Sequence, residues 1–387
     1  MHKAKKHEVK KMFGKLGLLL LPFVLCIVVE IFILPIDYFT FRPWETLSVQ
    51  NVKVMTGPFY PGMDVQKVAA GEIAPHSQYA VPQLEHWITD KYGFRNRDAN
   101  TPPEVVLIGD SYIAGAALTQ DELLSESLER RLHKKVYSFA PADPVFLDKF
   151  LASKRFKETP PEVVIFSRTE RRILDLPPVN EHNIEEIFKA EVGPIINESP
   201  LLTKAVVTMD RITKWSMYHY VRASLDRAFE QKEYNVYNGE LFLHGEQANK
   251  PVSEEEIKRT ASIIEGYAKA VEKRGMKFVF LPVPNKENIY YQLLPSQTKP
   301  NFLPQLIAEL QRRKVNVVDL QEPFYQAYIK YKIPLYPKDD NHWNENGVNI
   351  TAEILTSYLN DLKVKTKTDD GETLLMSSNN KDLESSN

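Results

Sequence analysis

Apolar and polar positions alternate in blocks along residues 104–362, and the blocks are of two kinds. Short apolar runs, Val105–Ile108, Val136–Phe139, Val163–Phe166, Phe278–Leu281 and Val315–Val318, are too short for helices. They predict buried strands. Between them lie helix-like stretches at about 120–133, 144–157, 256–274, 301–313 and 345–362. The last carries Val348, Thr351, Leu355, Tyr358 and Leu362 three or four apart, as an amphipathic helix does. Strands separated by helices of this length imply an α/β fold with about five parallel strands and helices on both faces. Pro102-Pro103 and Pro160-Pro161 each stand just ahead of a strand, followed by an acid and then the buried run.

Three regions depart from this alternation. Residues 37–103 form a lead-in with scattered Pro and Gly, expected to be irregular. Within it, Thr89-Asp-Lys-Tyr-Gly-Phe-Arg-Asn96 is a turn-rich knot with Phe94 as its plug, or alternatively a device that brings Arg95 to an anionic group. Residues 175–252 are an insertion with one long helical stretch near 203–231 and a short hairpin at 235–244. Its aromatics Trp215, Tyr218, Tyr220 and Phe229 are expected in a core, with sugar stacking or a membrane surface as the other readings. Residues 364–387 are polar and expected to be disordered.

The longest apolar run, Leu16–Ile36, changes the picture. About 20 residues suffice for a helix to cross a hydrocarbon core of about 30 Å. Glu30 interrupts the run near its distal end, where tilt tolerates a carboxylate. Six lysines (Lys3, Lys5, Lys6, Lys10, Lys11 and Lys15) precede or enter it, and Tyr38, Phe39, Phe41 and Trp44 follow it. Positive residues stay inside and aromatics favour the interface, which predicts residues 1–15 as a cytoplasmic tail, 16–36 as an uncleaved anchor and the body outside. A cleaved signal peptide is the alternative, though no Ala-x-Ala site follows.

The 387 residues are 43% hydrophobic and 26% charged, enough for a sizeable core. A net charge of -2 gives no basic field for nucleic acid. The single cysteine, Cys26, lies inside the apolar run, so neither a disulfide nor a thiolate metal site follows. No Gly-rich phosphate loop or metal-ligand spacing stands out, and neither metal nor cofactor is expected.

Chemistry concentrates at two places. Glu104-Val-Val-Leu-Ile-Gly-Asp-Ser-Tyr112 puts Ser111 where a parallel strand stops, at the carboxyl edge where open α/β sheets keep their ligands. A serine nucleophile needs a base, itself oriented by a third group. His342, in Asp339-Asp-Asn-His-Trp-Asn-Glu-Asn-Gly347, is the natural base on the same edge, with Asp339 or Asp340 to hold it. Asp110 shapes the turn.

These blocks resemble the SGNH (GDSL-like) hydrolase superfamily. Asp340 to Gly347 is closer to bacterial cell-surface O-acetyltransferase proteins of the alginate-acetylation type. Pro284-Asn-Lys286-Glu-Asn-Ile-Tyr290 and Tyr92-Gly-Phe-Arg-Asn96 look like that subset too. The resemblance implies a three-layer, flavodoxin-like catalytic domain over 104–363, with Ser111 as nucleophile and His342 as base and acid. The broad superfamily points to Asp339, the subset to Asp340, which is preferred. The superfamily's oxyanion-hole Gly and Asn are missing from Ser138–Asp143 and Ser167–Arg171, and one lost donor costs on the order of 3 kcal/mol of transition-state stabilisation. Arg168, Thr169 and Arg171 are the substitute candidates, with Lys286 and Arg95 as further substrate contacts. The implied reaction is acetyl transfer to a polysaccharide or wall glycan, with a multi-pass membrane protein as acyl source. An acetyl esterase and a non-catalytic glycan-assembly protein are the alternatives.

Overall fold

The computed structural model describes residues 2–75, 77–142, 146–229 and 234–362, so the tail expected to be disordered lies outside the described residues. Helix α1 (His2–Phe32) takes in the basic segment and most of the apolar run. Its stretch Lys10–Phe32 is long and apolar enough to cross a membrane, and its most apolar 18-residue window has mean hydropathy 2.4 with no residue buried. The helix stops short of Ile36 because Pro35 disfavours helical backbone before it; the N–H groups of Ile33 and Leu34 both return to the Val29 carbonyl.

The lead-in is more ordered than its composition suggests. After α2 (Pro43–Leu47), strands β1 (Asp64–Ala69) and β2 (Gln83–Ile88) pair antiparallel, Val65 opposite Trp87. Leu47, Phe59, Val65 and Trp87 form a small core of their own.

The main sheet holds β3 (Val105–Ile108), β4 (Val136–Phe139), β5 (Val163–Thr169) and β8 (Lys277–Val283), all parallel in the order β4-β3-β5-β8. Helices α3 (Ser111–Ala114), α4 (Leu124–Leu132), α5 (Phe146–Ala152) and α6 (Lys154–Glu158) connect the first three strands. The insertion between β5 and β8 carries α7 (Ile184–Glu198), α8 (Pro200–Lys214), α9 (Ser216–Ala228) and the hairpin β6 (Asn235–Tyr237) and β7 (Glu240–Phe242). Then come α10 (Glu254–Glu272), α11 (Lys286–Ile289), α12 (Phe302–Arg312), α13 (Gln321–Tyr325) and α14 (345–362).

Each strand buries both faces, which is why it reads as a continuous apolar run. Val106, Ile108, Phe166, Phe278 and Phe280 pack with α5, α10 and α12, while Val105, Leu107, Ile165, Val279 and Leu281 pack with α3, α4, α13 and α14. The expected fifth strand is not formed. Val315–Val318 touches β8 through a single bridge, Val317 to Phe280. Lys314 turns left-handed just before it (φ 61°) and α13 starts at Gln321, leaving too little extended chain for a ladder. The long insertion helix is also broken. Trp215 adopts φ 55° and separates α8 from α9, and its side chain is exposed rather than in a core.

The knot at 89–96 is a packing device. Asp90 Oδ1 accepts the N–H groups of Tyr92 and Phe94, and Asn96 exchanges two hydrogen bonds with the backbone of Ser138. Asn96 thereby occupies part of the open edge of β4, where a fifth strand would otherwise pair.

Candidate active site

β3 ends at Gly109, where an added Cβ would lie 2.4 Å from Ile113 Cγ1, so the turn needs glycine. Asp110 follows as N-cap of α3. Its Oδ1 accepts the Tyr112 N–H, and its Oδ2 accepts the N–H and hydroxyl of Thr169 at 3.1 and 2.7 Å. Asp110 therefore ties the end of β3 to the end of β5 and leaves Ser111 as the first residue of α3, half-buried.

Ser111 Oγ lies 2.7 Å from His342 Nε2, and His342 Nδ1 lies 2.7 Å from Asp340 Oδ1. His342 and Asp340 are buried. Asp340 Oδ1 also accepts the His342 backbone N–H at 2.7 Å, and its Oδ2 accepts the Glu72 N–H at 2.7 Å. With Asp340 accepting at Nδ1–H, the lone pair of Nε2 faces the serine hydroxyl, the tautomer a base requires. Tyr112 stacks obliquely on the imidazole, its ring centroid 4.8 Å away, and its hydroxyl donates to the Asn341 carbonyl.

Asp339 faces the other way. Its Oδ2 accepts the N–H groups of Gly71 and Val81 at 2.9 and 2.7 Å, so of the two carboxylates it is Asp340 that orients the histidine. Gly71 sits so close that a Cβ there would come within 2.2 Å of the Asp339 carbonyl oxygen. This contact joins residues 268 positions apart and was not readable in the sequence.

It also delivers Glu72, which sequence reasoning missed, to a point 3.6 Å from His342 Nδ1. Burial disfavours the imidazolium, but the carboxylates of Glu72 and Asp340 outweigh it and raise the His342 pKa above the ordinary histidine value. Burial alone would raise the Asp340 pKa. The charge and N–H groups of His342 reverse that and hold it low. Donor atoms of Glu72, Asp340 and His342 lie within 4.8 Å of one another and form the one group of this kind found among the described residues that could take a cation. In this geometry both Asp340 oxygens already accept protein N–H groups.

The remaining candidates separate clearly. Lys286 is wholly buried and does not meet substrate: its ammonium donates to the carbonyls of Pro337 (2.6 Å) and Lys338 (2.9 Å) and pairs with Glu240 at 3.1 Å. Tyr290 Oη accepts the Leu335 N–H, and the Tyr336 hydroxyl donates to the Pro284 carbonyl. The Pro-x-Lys-x-x-x-Tyr segment is thus a clamp on the loop that carries Asp340 and His342. Trp-Asn-x-x-Gly is structural as well. Asn344 Oδ1 accepts the N–H groups of Asn346 and Gly347 at the start of α14, and Trp343 is in the core.

Arg95 is fully buried behind the site, donating to the carbonyls of His86, Ala114, Gly115 and Leu118, and holds no anion. Both Thr169 donors are committed to Asp110, and Arg168 joins the same network, with Nη1 3.8 Å from Asp110 Oδ2. Arg171 differs. It lines a cavity of about 530 Å³ together with Ser111, and its Nη1 is buried without a hydrogen-bond partner among the described residues. Lys53, Lys149, Lys189, Glu185 and Glu186 line it too, with Lys189 paired to Glu185 at 2.7 Å and to Glu186 at 2.9 Å.

Ser111, His342 and Asp340 thus form one continuous hydrogen-bonded series at the edge of a cavity that Ser111 lines. Residues 238–383 match the family model of the SGNH hydrolase-like domain of the acetyltransferase AlgX. The resemblance expected from the Asp-x-His-Trp block is borne out by this match, which spans Lys286, Asp340 and His342 and leaves Ser111 outside it. No curated protein and no solved structure matches the chain. The matched segment includes β7, β8, the clamp and α14, and with them Asp340 and His342, whereas Ser111 opens α3 outside it.

Proposed function

We propose that the chain is a membrane-anchored O-acyltransferase that moves an acetyl group to a hydroxyl of a cell-surface or exported polysaccharide. What carries the reading is the continuous hydrogen-bonded chain Ser111–His342–Asp340 in a protein whose C-terminal part matches an acetyltransferase domain. In the first half-reaction the Ser111 proton passes to His342 Nε2 while Oγ attacks the acyl carbonyl. The tetrahedral intermediate collapses, the leaving group takes the proton from Nε2, and an acetyl-serine ester remains. In the second, a sugar hydroxyl gives its proton to Nε2, attacks the ester, and leaves acetylated as Ser111 recovers its proton. Asp340 keeps its charge throughout and stabilises the imidazolium.

Arg171 is the proposed oxyanion-side donor, since it lines the same cavity as Ser111 and its guanidinium keeps one buried N–H group without a partner among the described residues. Residues 104–363 form the SGNH-type, flavodoxin-like catalytic unit, with α1 as the anchor, residues 1–15 cytoplasmic and the body extracytoplasmic. That placement suits an acyl group delivered by a multi-pass membrane protein. Water in place of the sugar would make the same site an acetyl esterase.

The test incubates the full chain in detergent with p-nitrophenyl acetate and reads the mass of the Ser111 peptide. An acetyl adduct at Ser111, absent in Ser111→Ala, is expected, and its transfer to added glycans rather than to water identifies the transferase. Turnover without transfer to any glycan would establish the esterase. No adduct and no release above Ser111→Ala would leave a non-catalytic assembly protein.

A further inference from the structure

Helix α8 is built inside out. A helix on the surface of a water-soluble domain turns its apolar stripe to the core and its charges to solvent. In α8 the two buried side chains are Asp210 and Lys214, whereas Leu201, Ala205, Met209 and Ile212, spaced four, four and three apart, share the exposed face. Leu201 is 78% exposed and Asp210 is 0% exposed. The buried polar face is fully used. Asp210 accepts the N–H groups of Asn51 and Val52 at 2.7 and 2.9 Å and the Tyr60 hydroxyl at 2.8 Å, and the Lys214 ammonium donates to the carbonyls of Glu45 and Thr46. The outward apolar face is therefore a fixed feature of how α8 is docked.

Helix α9 repeats the pattern. Tyr218, Val221, Leu225 and Phe229, spaced three, four and four apart, are all exposed. The opposite face, with Tyr220, Ala223 and Arg227, lines a cavity of about 880 Å³. Tyr220 stacks on Phe41 at 4.8 Å, which fixes which face of α9 turns outward. Trp215, at the bend between the two helices, is exposed as well.

The position of this surface names its occupant. Arg211 of α8 donates to the carbonyls of Glu30 and Ile31, the last turn of α1, which is the one helix among those described that is long and apolar enough to span a membrane. The C-terminal end of α8 thus lies against the end of α1. Lys204 of α8 is exposed, and so is Arg222 of α9, which pairs with Asp226 at 3.9 Å; cations so placed meet lipid phosphates. We infer that α8 and α9 form an interfacial foot, which lays its Leu201–Ile212 and Tyr218–Phe229 stripes into the headgroup region of the bilayer that α1 crosses. The inference rests on α1 being a membrane anchor.

The experiment reconstitutes the full chain into phosphatidylcholine–phosphatidylglycerol vesicles whose acyl chains are brominated near the headgroups. Tryptophan fluorescence is compared with that in unbrominated vesicles. Of the four tryptophans Trp87 and Trp343 are fully buried and Trp44 is half-buried, so the difference between the wild type and Trp215→Phe isolates the share of Trp215. The expected result is a component of the quenching that Trp215→Phe removes and that Leu225→Asp with Phe229→Asp reduces at least twofold. A chain that floats with the vesicles but keeps Trp215 unquenched overturns the foot and leaves the anchor standing. A chain that does not float overturns the anchor, and the foot with it. Shielding of Trp215 that appears only when a second membrane protein is added overturns the lipid as occupant.

Discussion

Arg95 gives the sharpest test of whether this site is understood, because the sequence leaves it between packing and substrate and the structure puts it in the packing. In the structure Nη1 donates to the carbonyls of Ala114 (3.2 Å) and Gly115, Nη2 to those of Leu118 (2.6 Å) and His86 (3.1 Å), and the guanidinium lies 3.8 Å from the centre of the Trp87 ring. Ala114 and Gly115 close the short helix that begins with Ser111, so one buried cation holds the far end of that helix against β2. Replacing it by Met removes every donor at once, leaves the buried carbonyls unpaired and withdraws a positive charge that favours ionised Glu85 against burial. Breaking one partner out of a buried charge network costs about 3–5 kcal/mol, a large part of the 5–15 kcal/mol that holds a typical domain together. Arg95→Lys keeps the charge but not the fork, since an ammonium cannot serve carbonyls on both sides, and falls between.

Urea unfolding of the two variants, paired with kcat and KM at a denaturant-free temperature where each remains folded, decides the matter. The expected outcome is a midpoint lowered in the order Met below Lys below wild type, with KM for a charged acceptor unchanged. An unchanged midpoint together with a raised KM would refute the structural assignment and return Arg95 to the substrate.

Two further outcomes follow from the carboxylates. Asp340→Asn should lower kcat by about 10⁴-fold, because the imidazole loses the acceptor that fixes its tautomer. Asp339→Ala should instead cost about 1–3 kcal/mol of stability, by stripping the acceptor from the Gly71 and Val81 N–H groups, with the chemistry of the folded fraction retained; single-turnover acetylation and urea unfolding separate the two. Glu72→Gln tests the electrostatics. His342 must be neutral to take the Ser111 proton, and Glu72 and Asp340 favour its charged form against Arg171 and burial, with Arg42 drawn to both carboxylates. Removing the Glu72 charge should therefore lower the histidine pKa and move the acidic limb of kcat/KM to lower pH, whereas a limb that stays in place would show that Glu72 acts on the fold alone.

What could be read from the sequence was local. The four strands announced themselves because burial on both faces leaves no polar position to confuse the pattern, and Ser111, Asp340 and His342 stood out because each sits in a short motif. The misreadings share a cause. Arg95 and Lys286 are cations in motif-like segments, and a sequence does not distinguish a cation that holds substrate from one that holds buried carbonyls. Glu72 carried no signal at all, since its place beside His342 depends on a contact between Gly71 and Asp339 across most of the chain. β1 and β2 were hidden by their polar residues: Asp64, Gln66 and Lys67 on one strand and Glu85 and His86 on the other interrupt any apolar run. The inversion of α8 has the same origin. Periodicity reveals that a helix has two faces but not which one turns outward, and here Asp210 and Lys214 find their partners in residues 45–60.

The lead-in, expected as an irregular spacer, links the end of α1 to the candidate site. Arg211 grips the last turn of α1, and on the same helix Asp210 and Lys214 grip residues 45–52 and Tyr60. Farther along the lead-in, Glu72 donates its N–H to Asp340 while Gly71 and Val81 hold Asp339. Every one of these contacts is a hydrogen bond to a buried or half-buried group, so slackening any of them leaves a polar atom unpaired. A flexible tether would let the site sample many heights above a bilayer. This series of bonds instead sets the height and tilt of His342 relative to the end of α1. The proposed transfer, in which an acyl group emerging from the membrane is passed to a polymer outside, has use for such a fixed stand-off. A free-standing esterase acting on soluble esters does not.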